Sequence, residues 1–148
     1  MAESKYSKYI ITDVKMDVDL PSYRGESGHK PDDSRKMPTR LMWLDSSIIP
    51  GAFYSETVMV WPGCAGERRA AEEHTHDFTE IIGFFGTNYE DPQDLCGEIE
   101  LWLEGERHVM TRSFLAYIPA GMKHCPLIAR RIDKPIMHFT MSPTRQYS

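Results

Sequence analysis

Cysteine is scarce: Cys64, Cys96 and Cys125 form an odd set with no Cys-x-x-Cys spacing. Such a set fits reduced thiols in the cytosol better than a disulfide framework. No apolar run approaches the ~20 residues needed to cross a bilayer. The chain opens on Met1, Ala2, Glu3, Ser4, Lys5 and Tyr6, a polar start with no hydrophobic signal core. A cytoplasmic protein with no membrane partner is expected. Basic charge is also short, with 17 Lys+Arg against 22 Asp+Glu and a net charge of −5. A phosphate lattice attracts a basic face, so no nucleic-acid partner is expected. Nowhere is there an amphipathic helix of three turns. Apolar content of 41% and charged content of 26% are those of a globular chain. Its 148 residues fit one domain, residues 1–148.

Short strand-like runs fill the chain instead. In residues 8–20, Val14, Met16, Val18 and Leu20 alternate with Lys15, Asp17 and Asp19, which predicts a half-exposed strand. Residues 22–39 are rich in charge, Gly and Pro and predict a loop or an arm, with His29 solvated. The resulting division is an N-terminal strand and arm over 1–50 and a barrel over 51–142. Residues 40–44 form a short apolar run, and residues 53–61 predict a better strand, with Val58 and Val60 on one face. Residues 68–73 predict a solvated loop in which Arg68 or Arg69 has a weaker case for meeting an acidic substrate group. Residues 86–97 predict a long acidic loop without the oxygen spacing of a calcium loop. Glu104-Gly105 predicts a hairpin turn with His108 exposed beside it. Strands are further expected at 114–118, 126–132 and 135–141, followed by a loose tail.

The chemistry concentrates in His74-Thr75-His76-Asp77-Phe78-Thr79-Glu80 and in Pro119-Ala120-Gly121-Met122-Lys123-His124. Two histidines two apart on a strand share a face. A carboxylate returning on the next strand and a third imidazole after a Pro-x-Gly turn would complete an open site. Three neutral nitrogens and one anionic oxygen suit a divalent Fe, Mn, Ni, Co, Cu or Zn ion and leave room for water or substrate. Taken singly, each part has a plainer reading: a surface His pair, a solvated Glu80, an ordinary turn. The conjunction points to metal. Cys125 adjoins His124, and strand alternation would turn it away from the site as a small buried thiol.

At these residues the chain resembles the cupin superfamily. His74, His76 and Glu80 match the ligands of its first motif, G-x5-H-x-H-x3,4-E-x6-G. Pro119, Gly121 and His124 match the core of its second, G-x5-P-x-G-x2-H-x3-N. The flanks depart: Arg68 and Ser113 stand where the leading glycines belong, Gly86 comes one residue early, and Ile128 replaces the asparagine. The resemblance covers roughly the C-terminal two-thirds of the chain and implies an all-β jelly-roll barrel with a metal inside one end.

Three functions follow from that resemblance: a dioxygenase-like redox-metal enzyme, an isomerase, lyase or decarboxylase, or a non-catalytic module binding metal or a small ligand. One divalent ion held by Glu80 and three neutral histidines leaves a first shell of about +1, which favours small oxygen-rich anions such as keto, hydroxy or sugar acids. Ile82 and Phe84 share the face of Glu80 and would make the wall below the metal apolar. His138 would enter the cavity as an acid/base or pack on the barrel. Tyr54, Trp61, Trp102 and Tyr117 would face substrate or fill the core. A homodimer is expected from an unpaired edge along residues 8–20.

Overall fold

The computed structural model describes residues 5–24 and 30–144, so His29 and the last tail residues lie outside the described part. Alternating burial is the organising pattern. Along β2 (Tyr54–Val60), Tyr54, Glu56, Val58 and Val60 are buried and the residues between them are not. Such a strand needs a partner layer for one face only, and two sheets supply it. β2 lies in a five-stranded sheet with β1 (Thr39–Leu44), β9 (Ile136–Ser142), β4 (Glu80–Gly86) and β7 (Phe114–Ile118), in the order β1-β2-β9-β4-β7. The second sheet has the order β3-β8-β5-β6, formed by β3 (Arg69–Ala71), β8 (His124–Ile132), β5 (Asp94–Leu103) and β6 (Glu106–Arg112). Every pairing is antiparallel.

The core lies between the sheets. Val58, Ile82, Phe84, Ile118 and Ile136 come from one sheet, and Leu95, Ile99, Leu101, Leu127 and Ile132 from the other. β5 and β6 are joined by Glu104-Gly105, whose φ values of 48° and 78° are those of a type I′ hairpin turn. His108 is exposed there, as expected. No helix of the described residues is long and apolar enough to cross a membrane.

Several expectations need correction. Residues 8–20 are not a strand: Ser7–Tyr9 is a 3₁₀ turn, and the rest is irregular and pairs in no ladder. Their alternation reflects burial rather than pairing. Val18 and Leu20 pack against Trp43 and Tyr54, while the carbonyls of Lys15 and Met16 accept from Arg40 Nη1 at 3.1 and 3.4 Å. The sheet edge on which the homodimer expectation rested is therefore absent. The barrel begins before residue 51, because β1 pairs with β2. Residues 69–71 form β3 where a loop was expected, and the 86–97 loop shortens because β5 starts at Asp94. Of the segment expected to be a loose tail, Ser142 belongs to β9 and the Thr144 carbonyl accepts from Tyr54 N–H at 2.8 Å.

Candidate metal centre

The two sequence motifs are brought together by backbone bonds. His74 N–H donates to the His124 carbonyl at 3.0 Å, and His124 N–H returns to the His74 carbonyl at 3.1 Å. This isolated antiparallel bridge, rather than a continuous strand, carries His74; His76 lies in irregular chain beyond it. The Pro119–Met122 turn closes with Met122 N–H on the Pro119 carbonyl, and Gly121 takes φ +85° at low cost because it has no Cβ. Gly121 N–H then donates to the His76 carbonyl at 2.9 Å, fixing the second motif onto the first. Glu80 enters from the other sheet, at the head of β4, opposite the fully buried Ile118.

Each imidazole is oriented by its far nitrogen. Nδ1 of His74 lies 2.6 Å from the Glu72 carbonyl, that of His76 2.8 Å from the Phe78 carbonyl, and that of His124 2.9 Å from the Met122 carbonyl. A carbonyl only accepts, so Nδ1 carries the proton and Nε2 keeps its lone pair, the tautomer a metal ligand needs. Nε2 of His74, Nε2 of His124 and Oε2 of Glu80 are buried without a hydrogen-bond partner. His76 Nε2 lies 3.4 Å from Glu80 Oε2, and His124 Nε2 3.8 Å from Glu80 Oε1. Ligand atoms of His76, Glu80 and His124 fall within 4.8 Å of one another, as do those of His74, His124 and Cys125, and either group could hold an ion.

Electrostatics agree with that donor set. Burial lowers the pKa of His74 to about 4, against the pull of the Glu72 carbonyl, and burial also lowers that of His124. Both are neutral at pH 7. Burial opposes charge on His76 too, yet the Glu80 carboxylate outweighs it and raises the pKa.

Cys125 does not turn away as strand alternation predicted. It lines a cavity of about 40 Å³ together with His74, Glu80, Ile82, Thr140 and Arg24. The reason is local: Cys125 has φ +76°, and the β5–β8 register slips between Leu101↔Leu127 and Leu103↔His124, a bulge that breaks the period of two. Burial, with Glu80 adding to it, pushes its thiol up to about 12.

The other expected site residues scatter. Ile82 lines the cavity, while Phe84 lies in the core, stacked on Phe114 at 5.4 Å and on His138 at 4.0 Å. His138 is on the inner face but is not among the cavity-lining residues; its Nδ1 is 2.9 Å from the Gly83 carbonyl, and burial lowers its pKa to about 4. Tyr54 is fully buried and donates to Glu56 Oε1 at 3.2 Å. Trp61 donates to Thr39 Oγ1 at 2.9 Å under the Arg35 guanidinium. Trp102 bonds Glu100 at 2.8 Å, and Tyr117 is 66% exposed. Trp102 and Tyr117 are neighbours of the inward Leu101 and Ile118, so alternation sends them outward.

Sequence reasoning missed Tyr23, Arg24, Arg40, Glu56 and Thr140. Tyr23 stacks on the His74 ring at 3.5 Å with planes 11° apart. Glu56 is held between Arg24 Nη2 at 3.0 Å and Arg40 Nε at 2.7 Å. Burial opposes its charge, but the two guanidiniums outweigh that and keep its pKa low. The available signal was a carboxylate at an inward position of β2, which needs a buried cation.

No protein-family model matches the chain, and no curated protein matches its sequence. Solved structures do. An oxalate oxidase in complex with glycolate aligns with 15% identity over 90% of this chain and 64% of its own, at a TM-score of 0.50. An RmlC-like cupin family protein with a double-stranded β-helix fold from Methanocaldococcus jannaschii shows 14% identity, covering 81% of this chain and 92% of that one, at 0.49. KdgF from Halomonas sp. shows 18% identity, covering 73% and 78%, at 0.44. With two antiparallel sheets enclosing one core, and the His-x-His-x3-Glu and Pro-x-Gly-x2-His segments meeting at one end, the chain has the fold of the cupin superfamily.

Proposed function

We propose that His74, His76, Glu80 and His124 hold one divalent transition-metal ion, and that the protein is a metal-dependent enzyme acting on a small oxygen-rich acid. The observation that supports this reading is a set of buried acceptors without hydrogen-bond partners, His74 Nε2, His124 Nε2 and Glu80 Oε2, with His124 common to the two groups of ligand atoms that fall within 4.8 Å. Leaving one such group unsatisfied costs about 1–3 kcal/mol, so several of them close together is a configuration that a cation relieves. Three imidazoles and one carboxylate suit Fe, Mn, Co, Ni, Cu or Zn. When bound, the ion would supply Lewis acidity toward a carboxylate or enolate oxygen, or a redox partner for O2. The chain's own residues keep three imidazoles in one tautomer and line the cavity with Ile82 and Thr140.

The reaction is of dioxygenase type or of isomerase, lyase or decarboxylase type. Substrate-dependent oxygen uptake by the Fe(II)-loaded protein separates the two. The small cavity favours one alternative, a non-catalytic module for metal or a small ligand. The test is metal analysis of the purified protein, followed by titration of the Mn(II)-loaded form with oxalate, citrate and a 2-keto acid by electron paramagnetic resonance. Spectral change with at least one acid is expected. Unchanged spectra at millimolar concentrations of all three would return the binding module to the front.

A further inference from the structure

The candidate centre offers two overlapping sets of ligands. Ligand atoms of His76, Glu80 and His124 lie within 4.8 Å of one another, and those of His74, His124 and Cys125 do the same. His124 is common to both, and the sets differ in their anion: a carboxylate oxygen in one, a sulfur in the other. The sulfur set is built on a single bridge, because His74 and His124 pair across it and Cys125 is the next residue. Cys125 lines the cavity of about 40 Å³ that His74 and Glu80 also line.

The histidines, and not the cysteine alone, mark this set as one for an ion. The His124 side chain is 0% exposed, its Nδ1 is engaged by the Met122 carbonyl, and its Nε2 is buried without a hydrogen-bond partner. His74 repeats the arrangement with the Glu72 carbonyl and an equally unpartnered Nε2. Each ring therefore keeps one lone pair for an ion. A left-handed backbone is uncommon for a residue with a Cβ, yet Cys125 has φ +76°, and this turn brings sulfur to the side of the two imidazoles. Ligand softness then separates the sets. Thiolate suits Zn(II), whereas carboxylate oxygen suits Mn(II). A coordinating thiol gives up its proton to solvent, so either set contributes one negative charge to a bound ion.

Resting on the metal reading above for the two histidines, we propose that Cys125 is a further ligand of the centre, used by thiophilic ions. Zn(II) binds through His74, His124 and the Cys125 thiolate, while Mn(II) stays on the histidine and Glu80 set. His124 has one free nitrogen, so the two sets hold one ion between them and not two. The centre then sorts ions by the anionic ligand each one takes, sulfur or oxygen.

The test uses the full-length protein, stripped by a chelator, kept reduced, and loaded with Co(II) as a coloured stand-in for Zn(II). Wild type and Cys64→Ser should show thiolate-to-cobalt charge-transfer absorption in the near ultraviolet, and Cys125→Ser should not. Zn(II) affinity, read by competition with a chromophoric chelator, should fall in Cys125→Ser by at least the roughly 10–100-fold that follows loss of an outer-shell partner. Mn(II) affinity, read by electron paramagnetic resonance, should change by less than about threefold, since its ligands are untouched. Cys125→Ala guards against a fault particular to serine, and the wild-type cobalt spectrum depends on no variant at all. Stoichiometric Co(II) in wild type without the charge-transfer band overturns the role of Cys125 and leaves the His74, His76, Glu80 and His124 reading standing. So does a band that survives in Cys125→Ser, or equal weakening of Zn(II) and Mn(II) in both Cys125 variants. A wild-type protein that binds none of the three ions overturns both.

Discussion

His74 and His124 face each other as an antiparallel pair, and each fixes its ring by placing Nδ1 on the carbonyl two residues before it, Glu72 for one and Met122 for the other. The backbone at this bridge thus aims two lone pairs inward before any ion arrives. His74→Ala or His124→Ala should therefore lose most bound metal, beyond the roughly 10–100-fold attached to losing an outer-shell partner. The far-ultraviolet circular dichroism of the β-sheets should be retained. Glu80→Gln, which keeps a coordinating oxygen, should weaken binding less. Stoichiometric metal in both alanine variants would remove the site assignment.

The Arg24–Glu56–Arg40 group predicts an order of stabilities. Glu56→Ala strands two buried guanidiniums and should cost about 3–5 kcal/mol in urea unfolding. Arg24→Gln leaves a one-to-one pair of Arg40 with Glu56 and should cost distinctly less. Glu56 has a depressed pKa, so its contribution is present above the unfolded carboxylate value and is lost as pH falls through the lower folded value. Equal losses in the two variants would contradict the two-to-one arrangement.

His138 carries a different acid sensitivity. Burial holds it near pKa 4 when folded, against ~6.5 in an unfolded chain. Above pH 6.5 neither state takes the proton; between about 6.5 and 4 only the unfolded chain does, so stability falls as pH falls through that window. Its share is of order 2–3 kcal/mol. In metal-free protein, His138→Gln should flatten the fall in urea midpoint between pH 7 and pH 4.5. An unchanged slope would argue against a buried neutral imidazole.

Thiol labelling should follow burial. Cys64 and Cys125 are buried with raised pKa values, whereas Cys96 is partly exposed. A water-soluble disulfide reagent at pH 8 should modify Cys96 first and reach the other two only on unfolding. Mass mapping that finds Cys125 labelled early in the native protein would contradict its place in the cavity wall.

The residues of the candidate centre were legible as a group because metal chemistry restricts residue type and spacing together: His74, His76, Glu80 and His124 stand out with no tertiary information. Strand faces were legible too, and stricter use of alternation would have sent Trp102 and Tyr117 outward. The inward turn of Cys125 was hidden, since a positive φ and a register slip leave no mark in the residue pattern. Arg24 was hidden for another reason. It sits in a polar stretch without period, and its position comes from pairing with Ala71 far along the chain.

The stacking of Tyr23 on His74, with His74 bridged to His124, bears on the order of folding. Three segments of the centre lie far apart in sequence, and each loop closure between them costs entropy before any contact rewards it. During synthesis the arm emerges before its docking site exists, and His74 emerges before its partner. The pocket is therefore assembled late, with the arm docking onto a bridge that is already made. Trapping by proteolysis during refolding should find the arm cleavable after the two sheets have become resistant.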